Sequence, residues 1–145
     1  MARYLVVAHQ TAESPELAQR VSSLAAGDPA AEFVLLVPAT PVQHLLTWAE
    51  GEARAVAAQA AEDAKVRFEK AGVKVVRICV GDESPLQAIE DEILAHPGQY
   101  DTLVICTFPA GISRWLRLDL PSQAQRKFDL PVIHIVAQPV AKGAC

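Results

Sequence analysis

The chain has 145 residues, 51% of them apolar and 21% charged, and a formal net charge of −4. That length fits a single domain with a buried core, and the acidic balance excludes the broad basic surface that general nucleic-acid or anionic-membrane binding requires. No apolar run reaches the roughly 18 to 20 residues of a membrane span, and the N-terminus lacks a signal-peptide pattern, so a cytosolic protein is expected.

The first β-branched, apolar run covers 4–8 and predicts a buried strand. A helix over 15–26 follows, with the Ser14 hydroxyl as cap ahead of Pro15 and Gly27-Asp28-Pro29 as the stop. After a second strand at 33–37 comes a long helix over about 42–71, in which Leu45, Ala49, Ala53, Val56, Ala60, Ala64 and Phe68 recur every three or four residues and define one face. Ala71-Gly72 closes it, and a third strand spans 73–80. Ser84-Pro85 repeats the capping signal for a helix over 84–95, which His96-Pro97-Gly98 ends. A fourth strand at 103–106, a helix over about 121–128 with Asp119 as N-cap, and a fifth strand at 132–136 complete the pattern. Residues 1–138 thus read as one α/β domain and 139–145 as a flexible tail.

Five strands alternating with four helices predict a doubly wound, five-stranded parallel sheet covered on both faces. Such sheets bind ligands beyond the carboxyl ends of their strands, where the strand order reverses. The candidate positions are Ala8, His9 and Gln10 after strand one, Val37 and Pro38 after strand two, Gly81 after strand three, and the segment from Cys106 and Thr107 to Arg117 after strand four. That last segment contains Gly111, Ser113, Arg114 and Arg117. Four basic side chains against Asp119 give residues 107–128 a net +3, which leaves −7 on the remainder. Arg114 and Arg117 share one side of a helical turn, and with Ser113 they form a candidate grip for phosphate, sulfate or carboxylate. The alternative places both arginines on the surface or against acids such as Asp119. Arg126 and Lys127 read as solvated residues of a surface helix.

Other reactive side chains point to less. Cys79, Cys106 and Cys145 are odd in number and widely spaced, and the four histidines lack ligand spacing, so neither a disulfide framework nor a zinc site is expected. Cys106 would end strand four at the crevice, either as a buried thiol or as one activated by the nearby arginines. His44 and His96 stand at helix ends, and His134 sits within the last strand as a core or interface residue. His9 follows strand one in the crevice and titrates near neutrality, but no serine or carboxylate pairs with it in sequence. Asp82-Glu83 and Glu90-Asp91-Glu92 read as a solvated acidic face rather than a metal site. Gly111-Ile112-Ser113-Arg114-Trp115 lacks the second glycine of a hydrolase nucleophile elbow.

The order of elements, the long second helix, Gly81-Asp82-Glu83-Ser84-Pro85-Leu86-Gln87-Ala88-Ile89 and the closing Leu130-Pro131-Val132-Ile133-His134-Ile135-Val136 resemble the universal stress protein superfamily over nearly the whole chain. The resemblance implies the adenine nucleotide alpha hydrolase-like fold, ATP or AMP as candidate ligands, and a homodimer through the last strand, Pro131, Val132, Ile133, His134, Ile135 and Val136. Nucleotide-binding members carry a glycine, two residues, a second glycine, nine residues, then glycine and serine or threonine. Here Cys106 and Pro109 take the first two glycine positions, and Leu118 and Asp119 the final pair. Strand one ends Val7-Ala8-His9-Gln10-Thr11, without the aspartate by which relatives contact ribose or base. The resemblance therefore implies a divergent branch. The leading expectation is a non-catalytic module sensing a small anion or nucleotide through a non-standard loop. The alternatives are an interaction module that has lost nucleotide binding and, last, a nucleotide or phosphate-ester hydrolase.

Overall fold

Runs such as Leu5-Val6-Val7 and Leu103-Val104-Ile105 are apolar at every position because both sides of their strands are covered. The computed structural model describes residues 3–9, 11, 14–39, 50–108 and 119–137, with the backbone alone for 50–53. Within them the order is β1 (Arg3–Val7), α1 (Pro15–Gly27), β2 (Glu32–Pro38), α2 (Glu50–Lys70), β3 (Val75–Gly81), α3 (Pro85–Ala95), β4 (Thr102–Thr107), α4 (Leu120–Phe128) and β5 (Val132–Val136). All pairings are parallel and the sheet runs β3-β2-β1-β4-β5. The predicted five-stranded α/β sheet is the one observed. The order reverses between β1 and β4, which makes that junction the crevice of the fold.

Alternation along each strand sorts the core into two layers. Val6, Leu35, Val104 and Ile135 face Leu17 and Val21 of α1 and Ala57, Ala61, Ala64 and Phe68 of α2. Leu5, Val7, Leu36 and Ile105 face Ala88 and Ile89 of α3 and Leu120 and Ala124 of α4. Tyr4 and Phe33, opposite each other in the β1–β2 register, stack with ring centroids 4.9 Å apart.

The two serine caps form as expected: Ser14 Oγ accepts from Leu17 N at 3.1 Å and Ser84 Oγ from Gln87 N at 3.4 Å. Asp119 holds the N-cap position of α4 in a different way. Its backbone is left-handed, with φ 54°, and its side chain makes no cap bond, while its carbonyl accepts from Gln123 N. The carboxylate instead lies 4.0 Å from Arg126, whose exposed position matches the expected surface helix.

Two boundaries move for local reasons. Val73 N donates back to Phe68 O at 3.0 Å, so 73 and 74 still belong to the turn around Gly72, φ 86°, and β3 begins at Val75. On α2 the buried stripe is Ala57, Ala61, Ala64 and Phe68, while Val56 is 38% exposed and Ala60 only partly buried. Ala64 and Phe68 hold the expected face, while in the preceding turns the packed positions are 57 and 61 rather than 56 and 60. Leu45 and Ala49 lie outside the described residues, as do the start of the expected helix and the tail.

Candidate functional site

β1 ends at Val7, and Ala8 N still reaches Leu36 O of β2 at 3.3 Å, which carries the backbone to the carboxyl edge before it turns at His9. The turn is laced to β4 across the strand-order reversal. Thr11 Oγ1 donates to the carbonyl of Cys106 at 3.0 Å, and Ser14 N donates to Thr11 O at 3.0 Å before Ser14 caps α1. Neighbouring ends are tied similarly: Ala39 N donates to Gly81 O, and Ala137 N to Thr107 O at 2.8 Å. Parallel strands therefore present Ala8, His9, Val37, Pro38, Gly81, Cys106 and Thr107 along one edge, as the sequence predicted. Gln10, Gly111, Ser113, Arg114 and Arg117 lie outside the described residues.

His9 is the distinctive group of this edge. It is 7% exposed, and its buried Nε2 has no hydrogen-bond partner among the described residues. Burial lowers its pKa below 6.5. Among the described residues no charged neighbour contributes to that shift, so the imidazole is neutral near pH 7. A buried nitrogen left unpaired costs free energy that folding alone does not recover.

Cys106 resolves in favour of the buried thiol. It is 1% exposed, its Sγ lies 3.9 Å from Ser14 Oγ, and burial raises its pKa. His134 lies on the edge strand, exposed as a residue, with Nε2 2.8 Å from Thr107 Oγ1. Thr107 Oγ1 also lies 2.9 Å from Phe108 O, and since a hydroxyl has one proton to give, donation there makes His134 Nε2–H the donor to Thr107. Beside this strand a groove of about 460 Å³ opens between α1 and β5, lined by Glu16, Gln19, Arg20, Ser23, His134 and Ile135.

The acidic segment departs from the sequence expectation. Glu92 is 8% exposed and forms the hub of a network: Arg77 and Tyr100 both donate to its Oε2, the latter at 2.5 Å, and Cys79 Sγ lies 3.6 Å from Oε1. Burial works against the charged form, but the Tyr100 and Arg77 contacts outweigh it and lower the Glu92 pKa. Burial foremost pushes the Cys79 thiol up to about 12. Glu90 reaches Lys127 of α4 at 2.6 Å, so neither Glu90 nor Lys127 is simply a solvated residue. The bases come from β3 and α4, outside the 81–95 window in which none is present. No group of three or more metal-ligating side chains occurs among the described residues.

No protein-family model and no curated protein matches the chain. Solved structures do. A universal stress protein in complex with cAMP superposes with a TM-score of 0.60 at 18% identity, over 94% of this chain and 97% of that one. A universal stress protein from Archaeoglobus fulgidus gives 0.61 at 16%, over 93% of each chain. A universal stress protein family member from Arabidopsis thaliana with AMP bound gives 0.55 at 14%, over 100% and 96%. The chain has the universal stress protein fold. No described helix is long and apolar enough to cross a membrane.

Proposed function

We propose that the chain is a divergent universal stress protein, a non-catalytic cytoplasmic module that binds an adenine nucleotide or a related small anion in the crevice between β1 and β4. The observation that carries this reading is the unpartnered Nε2 of His9, buried at the strand-order reversal. Two structures of the same fold contain cAMP and AMP, which supports an adenine nucleotide as the ligand class. Arg114, Arg117, Ser113 and Gly111 supply the phosphate end in this proposal, in place of the glycine pattern the sequence lacks. Residues 1–138 form the binding domain and 139–145 a tail.

A thermal-shift panel of ATP, ADP, AMP, cAMP, phosphate and sulfate tests it, with calorimetry on each hit. An adenine-dependent rise in melting temperature that disappears in the Arg114→Ala/Arg117→Ala double variant is the expected result. Silence across the panel overturns it. A second reading, an interaction module acting through a homodimer, is favoured by the outer edge of β5, where Val136 is 40% exposed beside the α1 groove. A monomer at micromolar concentration in sedimentation equilibrium refutes the homodimer.

A further inference from the structure

A cavity of about 220 Å³ opens at the carboxyl end of β3, the edge strand opposite β5. β2 separates it from β1, so it lies apart from the strand-order reversal. Arg54 of α2 lines it together with Asp82, in the turn after β3, and Asp91 of α3. Leu36 and Ala88, both almost fully buried, and the Cys79 thiol, kept protonated by burial, give it an apolar floor.

The charges around this cavity are of both signs and do not cancel one another. Among the described residues none of Arg54, Asp82 and Asp91 makes an ion pair. Asp82 Oδ2 accepts from Ser84 N at 2.9 Å, and Asp91 Oδ1 from Gln87 Nε2 at 2.8 Å. These bonds orient the two carboxylates and leave Asp82 Oδ1 and Asp91 Oδ2 without a bond among the described residues. Glu92 also borders the cavity, but Arg77 and Tyr100 already occupy its Oε2.

This lining selects against ions of a single sign. An anion meets one arginine and two carboxylates, whereas a metal cation meets the arginine and finds no group of three ligating side chains among the described residues. A molecule that carries both charges matches both walls. The volume falls below the roughly 300–1,000 Å³ of pockets for drug-sized ligands, so the occupant is small.

We infer that this cavity is a second binding site, for a small zwitterion of the free α-amino acid class. The carboxylate sits on the Arg54 guanidinium, the ammonium on Asp82 Oδ1 and Asp91 Oδ2, and a short aliphatic side chain over Leu36, Cys79 and Ala88. α2 covers one face of the sheet and α3 the other, so the occupant ties the two helices around the β3 edge.

Amide NMR titrations of the full chain with millimolar glycine, L-alanine and L-valine test this. At least one of the three should shift the amides of 79–82 and 88–92 in a saturable way. N-acetyl-L-alanine, which lacks the ammonium, and L-alaninamide, which lacks the carboxylate, should not. Arg54→Gln should weaken binding about tenfold, and the Asp82→Asn/Asp91→Asn double variant by a similar factor, the size of a charge-assisted hydrogen bond. The asparagines can still accept from Ser84 N and Gln87, so the fold is kept, and Glu62→Gln on the exposed side of α2 should change nothing. Silence towards all three amino acids overturns the inference, as does undiminished affinity in Arg54→Gln. Equal binding of L-alaninamide would make this a site for amines and refute the zwitterion. Displacement of L-alanine by AMP would merge the cavity with the β1–β4 crevice and refute a separate site.

Discussion

A group kept for a ligand leaves a trace in the empty protein, and His9 gives it a sign. Replacing His9 with phenylalanine keeps a planar ring but removes the nitrogen that is buried without a partner. An unsatisfied buried polar group costs about 1–3 kcal/mol. The phenyl ring is slightly larger than imidazole, and crowding takes back part of the gain, so a net stabilisation of about 1 kcal/mol is expected. Unfolding entropy near 2.1 cal/mol/K per residue gives a 145-residue chain about 0.3 kcal/mol/K. The melting temperature of the ligand-free variant should therefore rise by about 3 °C. Differential scanning calorimetry at pH 8 is the assay, because His9, its pKa lowered by burial, is neutral there in the folded and the unfolded chain alike. In AMP at a hundredfold excess over its Kd, wild type should gain about 2.7 kcal/mol, or about 9 °C. A tenfold loss of affinity takes about half of that shift from the variant. If the ligand-free melting temperature of His9→Phe instead falls by several degrees, and that of His9→Gln with it, His9 is a structural group and does not carry the proposed binding role.

The remaining predictions concern the frame around the crevice. Gly81→Ala should cost about 1–3 kcal/mol, because a Cβ there would meet Ala88 Cβ at 2.6 Å and Leu36 Cδ1 at 3.0 Å, so α3 must shift; an unchanged urea midpoint refutes that packing. Glu92→Ala should cost about 2 kcal/mol or more by leaving Arg77 and Tyr100 without their shared acceptor, whereas a surface carboxylate such as Asp91→Ala should stay within about 0.5 kcal/mol. Phe68→Ala, at a fully buried ring, should cost about 3–5 kcal/mol, while Val56→Ala, 38% exposed, should be mild; a Val56→Ala cost well above about 1 kcal/mol would put Val56 back on the packed face. Stability should be flat between pH 7 and 8 and fall as pH drops below 6.5. His9 and His134 have lowered native pKa values, so the unfolded chain takes up protons that the folded chain resists. A second decline should begin below 4.5, where the unfolded chain protonates carboxylates that Glu92 and Glu32 keep charged in the fold. Urea midpoints from pH 4 to 8 check both windows, and a midpoint that does not change between pH 7 and 5.5 counts against lowered pKa values at His9 and His134.

Most of the architecture was legible because it rests on local signals. Ser14-Pro15 and Ser84-Pro85 announce helix starts whatever the rest of the chain does, and β5 at Val132–Val136 has the bounds its β-branched run implied. What failed depends on long-range partners. The α2 stripe was right at Ala64 and Phe68 but one position off at 56 and 60, because the sequence offers adjacent small residues at 57 and 61 and only the sheet surface decides which pack. Glu92 was read as solvated because a window of 81–95 holds no base, yet its donors arrive from residues 77 and 100. The carboxyl edge of the sheet was legible as a place: the strand-end rule selected Ala8, His9 and Thr107, which lie at the ends of β1 and β4. That His9 Nε2 lacks a partner was beyond sequence reading, since an absent hydrogen bond is a property of every neighbour at once.

Glu92 and His9 should respond differently to a ligand. Arg77, Tyr100 and Cys79 saturate Glu92, and the network locks α3 against β3 and the chain entering β4. A ligand that competed for that carboxylate would have to break charge-assisted bonds first. Among the described residues the His9 nitrogen has no bond to break. A ligand group arriving there gains a hydrogen bond in a buried setting and relieves a cost already present in the empty fold, so its contribution adds almost wholly to affinity. The ordering follows for ligand-induced stabilisation: His9→Phe should reduce it, whereas Glu92→Gln should lower the ligand-free melting temperature and leave the shift caused by AMP nearly intact. Equal loss of the AMP shift in both variants would mean that the two clusters act as one unit, and that α3, rather than the turn after β1, governs the crevice.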